Sequence, residues 1–385
     1  MPGGGLRNPA GFLMKIETGK GAVMEKSPKY LKVMDWIRSE IERGTLKEGD
    51  RLNTEYELSE MFGVSRQTVR HAIGELENAH VVTRIQGSGT YVGSAEFGEK
   101  TAERGRSMNI AVISTYVDSY IFPKTIRGLE KELAKHGYSM QISFTNNNTD
   151  REHQILEDII ARDSIDGLIV EGSKSALPNP NLDYYRQLSE RHIPIIFFNT
   201  SYPCLNLPCV SLDDRTVSRN AVRLLTAAGH EKIAGIFKLD DGQGHLRYAG
   251  YQEALKEAGL CADERAVCWF DSVDLIDFKK LEDYLFLRLE GCTAVECYND
   301  EIAYQLTEAC RRRKIKIPDD LSIVSIDNSD LAERASVPFT SFPHPMEELG
   351  KKAAERLVAL INDPDADGSY MFDPQPVVRG SVKII

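Results

Sequence analysis

No stretch of about 18 uncharged apolar residues occurs in this chain of 385 residues, so no membrane-spanning helix is expected. The first 24 residues, MPGGGLRNPAGFLMKIETGKGAVM, lack the apolar core of a secretion signal. They are glycine-rich and weakly basic. They read as an extension without a fixed fold (1–24), with Met14 and Met24 as alternative starts. Cysteines number seven, an odd count, all in the second half. No disulfide framework follows, and the Cys204/Cys209 and Cys292/Cys297 spacings suit no zinc knuckle. Free thiols in a reducing cytoplasm are the expectation. Signatures of chemistry are missing too. There is no G-x-x-x-x-G-K-[ST], no G-x-G-x-x-G after the first strand and no G-x-S-x-G. Positive charge is short: the net charge is −11, which weighs mildly against nucleic-acid binding.

What is present points the other way. Thr54 to Val92 reads TEYELSEMFGVSRQTVRHAIGELENAHVVTRIQGSGTYV. Leu58, Met61 and Phe62 lie at i, i+3, i+4, one face of a helix. Gly63 stops that helix, and Ser65 caps the next. Val69, Ile73 and Leu76 form the buried stripe of the second helix. Arg66, Gln67 and Arg70 then fall on its open side near the N-terminus, as in a recognition helix. Val81 to Ile85 and Thr90 to Val92 are β-prone runs flanking Gln86-Gly87-Ser88-Gly89, a narrow hairpin tip. Arg pairs guanine O6 and N7 with two donors, and Gln pairs adenine N6 and N7. Lys29 suits a phosphate. Residues 25–93 carry ten Lys plus Arg against eleven Asp plus Glu, one net negative charge. Binding would therefore rest on few, well-placed cations, doubled in a homodimer, and would be salt-sensitive.

This segment resembles the winged helix-turn-helix domain of the GntR family. The T-E-x-E-L, F-G-V-S-R-x-T-V-R and Q-G-x-G-T-[FY]-V motifs occur in order. The resemblance implies double-stranded operator DNA as partner. It places contacts at Lys29 and Glu55, at Arg66, Gln67 and Arg70, and at Gln86 and Gly87 in the wing.

Residues 94–107 read as a linker. Beyond them strand and helix alternate. Strands are expected at 109–115, 139–145, 166–170, 194–199, 232–237, 294–297 and 321–326. Helices are expected at 126–136, 152–161, 216–228, 247–258 and 301–312. Such alternation implies parallel sheets covered on both faces. The span of 108–385 suggests two of them, with ligands at the carboxyl ends of the strands. Those ends carry Tyr116, Tyr120, Asn146 to Asn148, Glu171, Lys174, Asn199, Tyr298, Asn299 and Asp327. Hydroxyl-bonding groups beside aromatic faces suit a sugar. Tyr120, Glu171 and Lys174 enter on this strand-end argument alone.

Residues 108–385 resemble the LacI/GalR sensor domain, which is related to periplasmic sugar-binding proteins. The marks are DGLIV, R-x-x-G-[YF] at Arg247 to Tyr251, CYNDEIA at 297–303, PDDLSIVSIDN at 318–328 and TSFPHPMEELGKKAAERL at 340–357. The resemblance implies lobe crossings near Ser211, near Pro343 and after Asn362. It implies effector contacts at Tyr116, Asn199, Arg247, Asn299 and Asp327, with His344 a weaker member. The expected fold is α/β: an N-terminal winged helix-turn-helix (25–93, α+β) plus a two-lobed sensor with two parallel sheets. The pairing of the two halves resembles arabinose-responsive repressors. That implies L-arabinose as effector, no cofactor, a homodimer, a cytoplasmic protein and no enzymatic activity.

Blander readings compete. Asp213-Asp214 reads as a helix-start pair suited to the dipole rather than a catalytic pair. Asp240-Asp241 with Asp300 and Asp327 matches no calcium loop and reads as sugar-binding or capping carboxylates, so no metal is expected. Arg311-Arg312-Arg313-Lys314 reads as a solvated helix end. His71 and His230 read as polar or capping residues. A sugar-binding transport protein is disfavoured by the missing signal and the DNA motif. A sugar-processing enzyme is disfavoured because no nucleophile–base set can be assembled.

Overall fold

The computed structural model describes residues 29–47, 49–78, 81–85, 89–93, 106–117 and 120–385. These fall into two compact units, one before and one after the Gly105–Arg106 boundary.

The N-terminal unit is built from α1 (Lys29–Glu42), α2 (Glu55–Phe62), α3 (Arg66–Asn78), β1 (Val82–Ile85) and β2 (Gly89–Val92). Thr54 starts α2 with a capping box. Its hydroxyl accepts from Glu57 N–H at 3.3 Å and the Glu57 carboxylate accepts from Thr54 N–H at 2.7 Å. Gly63 ends it at φ 58°, a left-handed turn that glycine adopts without penalty. The Ser65 hydroxyl accepts from Thr68 N–H at 3.2 Å. Val33, Ile37, Leu58, Val69, Ile73, Leu76, Val82 and Val92 form the core. One expectation fails: Met61 is 53% exposed. Leu58 and Phe62 hold the inner face, with Phe62 edge-on to Trp36 at 5.6 Å. Met61 lies on the other side of Leu58 and turns outward. β1 and β2 pair antiparallel, Val82 opposite Val92.

The second unit runs β3 (Asn109–Ser114), α4 (Phe122–Lys135), β4 (Ser139–Phe144), α5 (Thr149–Arg162), β5 (Gly167–Val170), α6 (Leu182–Glu190), β6 (Ile195–Phe198) and β7 (Cys209–Leu212). It continues with α7 (Asp214–Ala227), β8 (Ile233–Lys238), α8 (Gly242–Glu257), β9 (Val267–Phe270), α9 (Phe278–Arg288), β10 (Ala294–Cys297) and α10 (Asp300–Arg313). Then come β11 (Ser322–Asp327), α11 (Asp330–Arg334), β12 (Thr340–Pro343), α12 (Met346–Asn362) and β13 (Tyr370–Phe372). Two all-parallel sheets result, ordered β13-β7-β6-β5-β3-β4 and β12-β11-β10-β8-β9. Both faces of each are covered, because successive residues alternate sides. In the first lobe Ile110, Val112 and Ile169 meet Leu129, Leu349 and Leu357. Ala111, Ile113 and Leu168 meet Leu156, Tyr185 and Leu188 on the opposite face.

The chain changes lobe between β7 and α7 and again between β12 and α12, as expected. The third crossing, expected after Asn362, lies between Phe372 and Val377. β13 still pairs with β7, and only at Val377 does the chain reach Ser341 in the second lobe. α4 and α12 cross in close contact. A Cβ on Gly128 would stand 2.1 Å from Glu347 O, and one on Gly350 2.1 Å from Thr125 O. α8 begins at Gly242, not at Arg247. Asp241 caps it, accepting from Gln243 N–H at 2.8 Å, so Arg247 lies inside the helix.

Candidate effector cleft and nucleic-acid interface

The carboxyl ends of both sheets face one cleft of about 260 Å³, at the small end of ligand pockets, which begin at about 300 Å³. Among its walls are Tyr116, Tyr120, Glu171, Asn199, Arg247, Asn299, Asp327 and His344. The chain must turn sharply where a strand ends. Asn199 and Asp327 do so in the left-handed region, at φ 62° and 107°, and Tyr120, just ahead of α4, is left-handed too, at φ 64°. Such conformations are costly outside glycine and occur where structure around them enforces a side-chain direction.

Lys174 is not on the wall. Its backbone N–H donates to Asn147 Oδ1 at 2.7 Å, and the cleft's lysine is Lys238 at the end of β8. Lys238 ends β8 much as Lys174 follows β5, and nothing local in the sequence separates the two. Lys238 Nζ lies 3.4 Å from Asp241 Oδ2.

Glu171 is buried and accepts from Thr115 N–H at 2.9 Å, from the Thr115 hydroxyl and from Asn199 Nδ2 at 2.6 Å. Burial raises its pKa against those hydrogen bonds. Asn299 caps α10, accepting from Ile302 N–H at 3.0 Å. His344 Nε2 lies 2.9 Å from Asn199 Oδ1. Burial, then the nearby Arg247 charge, lowers the His344 pKa to about 3, so the ring is neutral.

Arg247 is committed inside the protein rather than free for two ligand hydroxyls. Its Nε donates to Asp214 Oδ1 at 2.8 Å, its Nη2 lies 2.7 Å from the same oxygen, and its Nη1 donates to Tyr298 O. The Tyr298 ring lies 4.5 Å beneath the guanidinium. Of the helix-start pair, Asp213 does cap α7, accepting from Thr216 N–H at 3.1 Å. Asp214 does more: fully buried, it is the counter-ion of Arg247. Asp300, also buried, accepts from Ser341 Oγ at 2.7 Å, from Ser329 N–H at 2.6 Å and from Ser325 Oγ. Among the described residues no group of His, Cys, Asp and Glu side chains is placed to hold a metal ion.

Several contacts join the lobes, among them Gly242 N–H donating to Ser175 Oγ at 3.0 Å and Lys124 Nζ to Asp330 Oδ1 at 3.2 Å, and two clasps stand at the rims of the cleft. On one rim the Tyr120 hydroxyl donates to Asp327 Oδ2 at 2.6 Å and accepts from Asp300 N–H at 3.2 Å. On the other, Asn147 Nδ2 donates to Ser272 Oγ at 2.7 Å and Asp240 Oδ2 at 3.2 Å. Tyr120→Phe deletes one hydroxyl bonded to a carboxylate, an interaction of about 1.5–3 kcal/mol. The ligand-free variant should populate open lobes at least about tenfold more. Spin labels on the two lobes read the distance distribution, and an unchanged distribution would remove Tyr120 from the closing mechanism.

In the N-terminal unit Arg66, Gln67 and Arg70 are exposed on α3, opposite its buried stripe, and Lys29 is exposed at the start of α1. Arg70 Nε and Nη2 fork onto the two oxygens of Glu55 at 3.1 and 2.8 Å. Arg66 lies over the Tyr56 ring at 4.9 Å. Gln86 and Gly87 lie outside the described residues.

Comparison with known proteins agrees with this division. Residues 29–92 match the gntR family of bacterial regulatory proteins, and 222–382 match the periplasmic binding protein-like domain. The arabinose metabolism transcriptional repressor of Geobacillus stearothermophilus is 37% identical over 93% of this chain and 98% of its own length. The chain belongs to this arabinose-repressor family. Its counterpart in Halalkalibacterium halodurans is 36% identical over 92% of this chain and 96% of that one. Among solved structures, the regulator CcpA of Lactococcus lactis superposes with a TM-score of 0.63 at 25% identity, covering 71% of this chain and 99% of that one. The CelR–cellobiose complex gives 0.62 at 23%, covering 82% and 90%; that likeness concerns the fold. Membership of the arabinose-repressor family makes the chain a transcriptional repressor of mixed GntR and LacI/GalR build. No helix among the described residues is long and apolar enough to cross a membrane.

Proposed function

We propose that this repressor binds operator DNA as a homodimer and is released by L-arabinose. The observation that carries the ligand class is the charge and polarity of the cleft. Its two cations, Lys238 and Arg247, are both matched by carboxylates, Asp241 and Asp214. Glu171, Glu301 and Asp327 add further acid to the wall. A neutral polyol fits such a wall; a sugar phosphate brings charge of the wrong sign. The small volume favours a monosaccharide, and the family relatives named for arabinose metabolism favour a pentose.

Coupling follows from linkage. Sugar stabilises the closed lobes, and closure changes how the dimer presents its two α3 helices. If that state fits the operator poorly, DNA and sugar weaken each other's binding by the same factor. A hundredfold effect needs only about 2.7 kcal/mol. Operator release titrated in parallel with L-arabinose, D-xylose, D-galactose, ribose and their phosphates tests this. Release by L-arabinose at the lowest concentration is expected. Release by another sugar would reassign the effector, and release by none would end the effector reading.

The DNA half makes its own prediction. Arg70 is the α3 residue whose guanidinium is already held in a two-donor fork, by Glu55. Arg70→Ala should weaken operator binding by about 1–3 kcal/mol, the value of a bidentate base contact. Sugar affinity should not move. Gel shifts at wild-type affinity would show that α3 reads DNA through other side chains.

A further inference from the structure

The linker segment joins the sensor at the end of the first lobe farthest from the cleft. The strands of that sheet all run one way. Their carboxyl ends face the cleft, so the amino ends of β3, β4 and β5 stand at the opposite edge. Asp166, directly ahead of β5, is placed there. One of its oxygens accepts from Ser107 N–H at 2.9 Å and from the Ser107 hydroxyl at 2.8 Å, and the other accepts from Met108 N–H at 2.9 Å. Met108 is held on its far side too, its carbonyl accepting from Ser139 N–H at 2.7 Å and from the Ser139 hydroxyl at 3.0 Å. Its φ is 54°, a left-handed turn that a residue with a side chain keeps only where its surroundings enforce it. That turn sets the direction in which the chain leaves the sheet. Two residues earlier, Arg106 Nη2 donates to Asn362 Oδ1 at 2.8 Å. Asn362 is the last residue of α12, a helix of 17 residues that starts at a lobe crossing and reaches about 25 Å at 1.5 Å per residue. Arg106 and Ser107 are exposed and add no apolar surface to the core, so what their bonds fix is direction.

We propose that Asp166 and Asn362 form a seat for the linker, positioning residues that make residues 106–108 move with the first lobe and so carry lobe closure to the DNA-binding unit. The inference rests on the coupling of sugar to operator release above and deepens it. Neither residue lines the cleft. The lobes turn at crossings that leave the carboxyl ends of β7, β12 and β13, on the cleft side. Displacement therefore grows toward the amino ends, and the seat stands at that end. A chain tied there by three bonds to one carboxylate inherits the displacement; a slack one absorbs it.

The test uses the full chain. Operator affinity without and with saturating L-arabinose gives the coupling as a ratio. Asp166→Ala should lower that ratio at least about fivefold, while calorimetry on the DNA-free protein returns the wild-type sugar affinity. Asp166→Asn keeps one accepting oxygen but turns an NH₂ toward a backbone N–H, and its ratio should fall between the two. A merely structural role would lower the melting temperature and the sugar affinity together and leave the ratio alone; that pattern would overturn the proposal. So would an Asp166→Ala protein that binds sugar normally and keeps the full ratio. If Asp166→Ala does not fold, Arg106→Ala decides, because it removes a single exposed hydrogen bond. Its ratio should fall at least about twofold, and a ratio equal to wild type would overturn the seat. If L-arabinose does not release wild-type protein, the effector reading fails separately, and the same series is run with the sugar that does release the operator.

Discussion

Arg247→Met should unfold the second lobe far more readily than a lost ligand contact would explain. The guanidinium and its partner are 2% and 0% exposed. Burial pushes the Asp214 pKa up to about 6, with Arg247 the main opposing influence. Without Arg247 the buried carboxyl is left with only Gln243 as a partner, whose amide lies 3.3–3.4 Å away, and with the Asp241 charge nearby. Removing one member of a buried ion pair costs about 3–5 kcal/mol. The pair also ties α7 to α8 and, through Tyr298 O, to the end of β10, so the cleft wall loosens with it. Thermal unfolding of the full chain should show the sensor transition fall steeply. Arg247→Met with Asp214→Leu should recover most of the loss, since replacing both charges removes the orphan. A single variant that melts with wild type and is merely blind to sugar would mean that the fork serves the ligand and not the fold.

That revision marks where sequence reasoning reaches its limit. The head was legible because its signals are local. The Thr54 capping box, the Gly63 stop and the Val69, Ile73, Leu76 stripe each lie within a few residues of what they fix. The alternation of strand and helix in the sensor was legible because doubly covered strands such as β8 are apolar up to their last residue, IAGIF before Lys238. Helix starts were not. The first turn of α8, Gly242-Gln243-Gly244-His245, carries no apolar periodicity and is helical because Asp241 caps it and Gly244 packs against Lys238 O. Strands β7, β9, β12 and β13 were missed because each is only three or four residues long and part of it is not buried, whereas the equally short β5, β6 and β10 are buried throughout.

Within the site, the strand-end rule reached Tyr116, Glu171, Asn199 and Asp327 because topology alone puts strand ends together. It could not reach pairings between distant elements. Asp214 and Arg247 lie on different helices, and Asn199 and His344 on different segments of the chain. No local feature says that one binds the other. Tyr120 was reached, yet its hydroxyl meets Asp327 and Asp300 across the cleft, a role that depends on how far the lobes close.

Glu296→Gln should flatten a pH dependence of stability that wild-type protein carries between about pH 5 and 8. Glu296 lies in the middle of β10 and points, with Ala294, to the side covered by α7 and α8. It is fully buried, and neither carboxyl oxygen has a hydrogen-bond partner. The nearby Ser218 hydroxyl is committed to Arg247 O. Burial pushes the carboxyl from its ordinary 4.5 up to about 8, with Ser218 and the Arg247 charge opposing only in part. The sign follows directly. The unfolded chain gives up this proton above about pH 4.5, whereas the folded chain keeps it until about pH 8. Stability is therefore complete below the unfolded value and declines by about 1.4 kcal/mol per pH unit until the folded group also ionises. Glutamine keeps the shape and cannot ionise. Its unpaired amide shifts the baseline, but the slope disappears. Asp214 and Asp300, each pushed by burial to about 6, titrate in the same window and are present in both proteins. They cancel in the difference between the two. Urea unfolding at pH 5, 6, 7, 8 and 9 should show the variant gaining on wild type up to pH 8 and no further. A difference that stays flat across the series would mean that Glu296 is ionised in the folded chain and has a partner there.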